Sequence, residues 1–400
     1  MSFTAFVAVI ASLMGLNALA IDIMLPGLPQ LGAWFMLDDP NRAQVVITAY
    51  LIGFGVGQFF MGLLADRFGR RPVLLSGVAV YMICTVICIV APSFELLLAA
   101  RLAQGLASAA PRVVATATVR DCYDGRQMAR VMSLTLMVFM AVPVVAPLLG
   151  QVILFVAPWQ AVFAFLTIYS GTVLVICARR MPETLDPAMR RPIERTVILS
   201  ALRSILRSRQ TVGYTLAAGV FFGALFGFIN SAQQVLGDVF GLGTFFPVVF
   251  AAVALAIAAS SYANSRLVER LGMRLLSHGA VILFLILSTL MLLLEWHQAL
   301  SLMIFLPLFV VMMLLVGMVF SNFNAMAMEP QGHVAGLASS FVGAMGVLIG
   351  AGIGFVIGQA FDGSVMPLAI GYVGSGLGTL ILILLTERGR LFHTPAADPM

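Results

Sequence analysis

Twelve apolar runs, each about as long as a bilayer is thick, follow one another along this chain with short connectors between them. A helix needs about 20 residues to cross the hydrocarbon core, and inside that core the backbone polar groups must be satisfied within the helix itself. The runs fall at about 4–25, 43–64, 73–91, 94–117, 131–154 and 158–178. After a polar stretch at 179–210 they resume at about 212–234, 243–263, 277–294, 300–324, 336–360 and 366–386. The pattern predicts an all-α membrane protein with 12 transmembrane helices in two six-helix halves. Composition closes off the alternative. Of 400 residues, 61% are hydrophobic and 10% charged, whereas a soluble domain carries about 25% charged residues. This chain cannot cover a water-facing surface.

Charge placement orients it. Every one of the 22 basic residues is arginine. Nineteen lie in the segments 65–72, 118–130, 179–210 and 264–276 and in the C-terminal tail, and Arg42 alone lies in the opposite set of connectors. The two that remain, Arg101 and Arg112, are inside the fourth run. Arginine-rich loops face the cytoplasm, so both termini are expected there. The net charge of +5 forms no basic patch interleaved with aromatic residues, which argues against nucleic acid as a partner. Cys84, Cys88, Cys122 and Cys177 show no metal-ligand spacing. With no H-E-x-x-H, G-x-S-x-G or nucleotide-binding loop, neither an enzyme nor an ATP-driven pump is indicated, and no cofactor or metal is expected. The first run has no basic start, so it reads as a retained span rather than a signal peptide.

Between the second and third runs stands Gly62-Leu-Leu-Ala-Asp66-Arg67-Phe-Gly69-Arg70-Arg71-Pro72. Gly62 and Gly69 permit close approach and a tight reversal, and Pro72 suits the first turn of the next helix. This stretch resembles the G-x-x-x-D-R-x-G-R-R signature of the major facilitator superfamily. A degenerate copy, Glu269-Arg270-Leu-Gly272-Met-Arg274, recurs 203 residues later, after the eighth run. Related loops in two six-helix halves fit a parallel repeat. The expected organisation is an N-terminal half at 1–178, a linker at 179–210, a C-terminal half at 211–387 and a tail at 388–400. Val197 to Arg209 in the linker has the pattern of an amphipathic helix lying on the inner leaflet, with a plain solvated linker as the alternative.

Ionisable residues inside spans are costly and normally face a cavity or a partner. Asp22, late in the first run, is therefore a candidate proton carrier, or else an acid at a helix end, since Pro26 and Gly27 follow. Arg101 keeps its charge, so it is expected to tune a carboxylate, contact a substrate or bond backbone carbonyls of a neighbouring helix. Its run, Arg101-Leu-Ala-Gln104-Gly105, resembles the R-x-x-Q-G signature of proton-coupled facilitators. Arg112 lies about three turns further along, lining the inner half of a cavity or reaching toward the headgroups. Pro143, Pro147 and Gly150 in the fifth run permit a bend or close packing, and resemble the antiporter signature G-x-x-x-G-P-x-x-G with its first glycines replaced. Arg120, Asp121, Arg126 and Arg130 are expected to pair with the 65–72 loop and to form a network that breaks and re-forms. Asn230, Gln233, Gln234 and Asn322 are neutral polar groups within spans, candidates for bonding across helices or for facing a substrate cavity. Glycines at 343, 346, 350, 352, 354 and 358 let the eleventh span pack closely.

Together with Asp22-x-x-x-Pro26-x-x-Pro29 and Val119-Arg120-Asp121, these motifs resemble the bicyclomycin-resistance (Bcr/CflA) family of drug:proton antiporters over nearly the whole chain. The resemblance implies an inner-membrane exporter that exchanges protons for small amphipathic molecules by alternating access and acts as a monomer. In that family Asp22 matches the acid of the first span, Arg101 the arginine of the fourth and Asp66 the loop aspartate. Arg112 departs from it, standing where a small residue is usual. A dedicated exporter of an endogenous metabolite, such as an amino acid or sugar, is the competing expectation. A non-transporting membrane receptor is a more distant one, because no sizeable soluble domain is present.

Overall fold

The computed structural model describes residues 1–190 and 193–392, apart from the side chains of Arg126, Ala129, Leu136, Val138 and His333. The part of the expected tail beyond 392 and the pairing expected of Arg126 thus lie outside the described residues. The described chain is helical and carries no strand. In order, its α-helices are α1 (Phe3–Asp22), α2 (Leu28–Trp34), α3 (Val45–Phe68), α4 (Arg70–Val90), α5 (Phe94–Cys122), α6 (Gly125–Val156) and α7 (Gln160–Arg180). They continue as α8 (Arg195–Arg207), α9 (Arg209–Ala232), α10 (Phe246–Leu271), α11 (Met273–Trp296), α12 (Leu302–Met328), α13 (Ala335–Gln359) and α14 (Met366–Thr386). All but α2 and α8 are long, and these twelve coincide with the twelve apolar runs.

Eleven helical stretches among the described residues are long and apolar enough to cross a membrane. The twelfth, α5, is 29 residues long but carries Arg101, Gln104, Ser108 and Arg112. Spaced by three, four and four, these four residues share one face of the helix. The apolar faces turned away from protein neighbours suit lipid: on α4, Val80, Ile83, Val86 and Val90 are all exposed and recur at helical spacing.

The chain divides into two compact units, 1–199 with 242–252, and 200–241 with 253–400. In the first, α3 and α5 approach at glycine. A Cβ on Gly105 would come within 2.0 Å of the Tyr50 carbonyl oxygen, and one on Gly53 within 2.0 Å of the Leu102 carbonyl. In the second, Gly219, Gly223 and Gly227 of α9 receive Ile349, Ile353 and Ile357 of α13, one ridge set into one groove. Gly350 and Gly354 of α13 return the fit against Phe222 and Phe226. Membrane helices gain nothing from hydrophobic exclusion between them, so such close packing carries their association.

Two local features differ from the sequence reading. The loop expected at 65–72 shrinks to Gly69, because α3 runs through Gly62 to Phe68 and α4 begins at Arg70. Gly69 makes the reversal at φ +104°, and Gly272 does the same between α10 and α11 at φ +79°; both are values that favour glycine. After α1, a 3-10 turn over Leu25–Gly27 and then α2 continue the chain. Pro26 and Pro29 each sit in the first turn of a new helix, where a missing N–H costs nothing.

Candidate functional site

Asp22 closes α1 and is only 4% exposed. Its Oδ1 has no hydrogen-bond partner among the described residues. Behind it, α6 comes close to α1 through Gly150, whose Cβ would lie 2.1 Å from the carbonyl oxygen of Ile23, the residue after Asp22. Gly150 therefore lets α6 pack on the end of α1 beside the acid. Helix α6 continues through Pro143 and Pro147, which donate no backbone hydrogen bond, so the carbonyls four residues earlier have lost their helical partners.

Arg101 is fully buried, and three of its nitrogens are engaged by the protein. Nε donates to the Val46 carbonyl at 3.1 Å, Nη1 to Gln104 Oε1 at 2.7 Å and Nη2 to the Ala20 carbonyl at 3.2 Å. Its guanidinium also lies over the Tyr50 ring, 4.5 Å from the centroid. Ala20 is in the last turn of α1, where carbonyls have no helical partner. Arg101 thus caps the helix that carries Asp22 and ties it to α3. Among the described residues it makes no ion pair with Asp22, so of the three roles expected for it the backbone-bonding one is what the geometry displays. Around it lies a buried polar network. Gln104 donates to Thr85 Oγ1 at 2.6 Å, and Asn17 donates to Tyr50 Oη at 3.1 Å and to Ser108 Oγ at 3.3 Å. Sequence reasoning missed Asn17, Tyr50, Thr85 and Ser108. The signal for Ser108 was its place on the α5 stripe; Asn17 stood alone in an apolar run.

Arg112 is half-buried and behaves differently. Its guanidinium carbon lies 5.9 Å from the Phe54 ring centroid on α3 and 5.1 Å from that of Phe139 on α6.

The polar groups singled out in the second unit separate. Asn322 on α12 is engaged with Asn264 on α10, donating at 2.8 Å and accepting at 3.4 Å. Gln233 bonds Asp238 within the π-helical segment Gln233–Val239 that extends α9. Gln234 is 8% exposed. Asn230 is 1% exposed, and neither its Nδ2 nor its Oδ1 has a partner among the described residues. A wholly buried amide left unbonded is costly, and a π-helical segment next to it is a frequent mark of a functional site.

At the Gly69 reversal, Arg70 joins Asp66 at 2.5 Å and Asp121, at the end of α5, at 3.0 Å. Arg67 and Arg120 are exposed, and Arg130 lies over the Phe3 ring at 5.0 Å instead of joining the loop. Glu183, which sequence reading passed over, accepts from the backbone N–H groups of Arg70 at 2.8 Å and Arg71 at 3.2 Å, while Arg71 Nη2 donates to the Ala178 carbonyl at 2.7 Å. A carboxylate on the first N–H groups of α4 satisfies orphan donors and complements the helix dipole. The second unit has a counterpart. Glu387, just beyond α14, accepts from Arg274 Nε at 2.8 Å and from Tyr214 Oη at 2.6 Å, and Tyr214 Oη lies 3.0 Å from His278 Nε2. Burial opposes ionisation of Glu387, but the hydrogen bonds from Tyr214 and Arg274 outweigh it and hold the carboxyl below its ordinary pKa. In each unit an acid that follows the sixth long helix thus secures the start of the third.

A profile of the Major Facilitator Superfamily matches residues 7–355. An uncharacterized MFS-type transporter of Bacillus subtilis, YdgK, is 30% identical over 93% of this chain and 93% of its own length. A bicyclomycin resistance protein homolog of Haemophilus influenzae is 28% identical over 91% of both chains. Among solved structures, the xylose transporter XylE from E. coli, in a partially occluded inward-open conformation, superposes with a TM-score of 0.75 over 96% of this chain and 97% of its own, at 12% identity, which speaks to fold alone. The chain belongs to the Major Facilitator Superfamily: it is a multi-pass membrane transporter of small molecules and not an enzyme.

Proposed function

We propose that the chain is a proton-driven exporter of small amphipathic molecules, residing in the bacterial cytoplasmic membrane with both termini inside and working as a monomer. The observation that carries this reading is Asp22, an acid in a spanning helix, 4% exposed and with one oxygen unbonded. Intramembrane ionisable groups of this kind mark ion pathways by default. Drug resistance is what the Haemophilus relative is named for, which supports amphipathic cargo here. The Arg120–Asp121 and span-five motifs point the same way.

In this reading Asp22 takes a proton from the outer side and releases it to the inner side, and the proton and the cargo occupy the carrier in turn as access alternates. Arg101 is a positioning residue: by holding the Ala20 carbonyl it fixes the turn that bears Asp22. Asn230, Gln233, Gln234 and Asn322 are proposed to serve the cargo, and the Gly62–Arg71 stretch with Arg120 and Asp121 to serve the conformational switch. The competing reading, a dedicated exporter of one metabolite, is favoured by the additional fixed charge at Arg112.

The test is efflux of a fluorescent amphipathic dye from membrane vesicles energised with a proton gradient. Asp22→Asn at equal expression is expected to reduce it to the level of vesicles without the protein. Undiminished efflux in that variant would overturn the proton step.

A further inference from the structure

We propose that Arg112 receives an anionic group of the transported molecule, so that the cargo class is small amphipathic acids bearing a carboxylate. The inference rests on the exporter reading and adds to it the chemistry of what is carried.

Arg112 differs from Arg101 in how its charge is met. Both arginines lie on the same polar face of α5 inside a spanning helix. A guanidinium stays charged there at considerable cost. The protein meets that cost at Arg101 with three hydrogen bonds and the Tyr50 ring. At Arg112 it does not. Among the described residues no hydrogen bond or ion pair engages its guanidinium. What surrounds Arg112 is apolar, with Phe54 on α3 and Phe139 on α6. Ring faces attract a cation but do not neutralise it. They leave open the fork of N–H donors that matches a carboxylate bidentately.

The charge balance runs the same way. The apolar runs of the first unit hold Arg101 and Arg112 against Asp22, the other acid, Glu95, being exposed in the first turn of α5. An intramembrane cation left without a counter-charge is the strongest local demand for an anion that this unit makes. The two phenyl rings also define what should be attached to that anion, since an apolar or aromatic body can lie against Phe54 and Phe139 while its acid group meets the guanidinium. Arg112 is eleven residues from Arg101, about 16 Å along the helix axis. Asp22 belongs to the Arg101 end, where Ala20 is held. An anion at Arg112 and a proton at Asp22 therefore occupy separate stations, and any exchange between them passes through conformation rather than through direct competition.

The test uses three molecules of one skeleton: naphthylacetate, its neutral amide naphthylacetamide, and the cation naphthylethylamine. Their affinities are measured on the purified full chain in phosphatidylcholine vesicles. The carboxylate is expected to bind at least ten-fold tighter than the amide and the amine least. Arg112→Gln is expected to remove the carboxylate-over-amide preference, and Arg112→Lys to restore part of it, because the charge returns without the fork. Repeating the measurement with phosphatidylglycerol added separates a cargo anion from a lipid phosphate as the group Arg112 holds. An unchanged preference supports the assignment, and a preference abolished by the anionic lipid overturns it. Equal affinity of wild type for carboxylate and amide, or a preference that survives in Arg112→Gln, overturns it as well. Proton movement driven by any of the three molecules and lost in Asp22→Asn, recorded on the same vesicles, reports on the exporter reading separately, so the two can fail independently.

Discussion

Glu183 and Glu387 hold corresponding places, each just past the last long helix of its half, and each secures a helix start that an arginine motif begins. Neither was legible in the sequence as such. An acid in a polar connector looks like many others until the chain path sets it against Gly69 or Arg274. Asp22 was legible, because a charge in an apolar run is conspicuous whatever the fold. The partners of Arg101 were not, since two of the three are backbone carbonyls that no side chain announces. Glu387 gives a pH-dependent prediction. Its folded pKa is depressed, so its contribution to stability is complete above the unfolded carboxyl value of about 4.3 and is lost as pH falls through that value toward the folded one. Apparent melting temperatures of wild type and Glu387→Gln in detergent are expected to differ fully at neutral pH and to converge below about pH 4. A gap of constant size across that range would mean the carboxylate does not act through its charge.

Among elements, α5 shows most clearly what pattern reveals and what it hides. Its polar stripe was readable at residues 101, 104 and 112, and the same stripe makes it the least apolar of the twelve long helices. Its packing was hidden. The glycine spacing of the eleventh span stands out in the sequence, yet the tightest approaches in the first unit are at Gly53 and Gly105, between α3 and α5. In the second unit α9 brings a glycine ladder of its own to α13. Spacing identifies a glycine face but not the partner that uses it. Gly105→Ala would drive a Cβ to 2.0 Å from the Tyr50 carbonyl oxygen, with backbone on both sides and no flexible side chain to yield. The expected result is a loss of about 1–3 kcal/mol or more, seen as a lower melting temperature and less monodisperse protein in size-exclusion chromatography. Gly352→Ala on exposed α13 surface, with nothing within 4 Å of its Cβ, is the control and should behave as wild type. Equal behaviour of the two variants would show that the α3–α5 contact is not as tight as its geometry.

At the scale of the whole molecule, hydropathy was sufficient to give the number and order of the long helices, because lipid imposes a length and a composition on each crossing. It could not give the short elements α2 and the Leu25–Gly27 turn, where proline starts a helix instead of stopping the chain. Nor could it give the one-residue reversals at Gly69 and Gly272, where the helices run on through the charged stretches. Family membership rests on the length of the match and on the fold; the proposed coupling to protons rests on Asp22. The most direct measurement of that claim is made on proteoliposomes of the purified chain holding a pH-sensitive dye, with no initial pH gradient, to which an amphipathic cargo is added outside. Proton-for-cargo exchange predicts that uptake of cargo drives protons out and the lumen becomes alkaline, with no change in Asp22→Asn. Acidification of the lumen, or cargo uptake without any pH change, would contradict proton antiport through this residue.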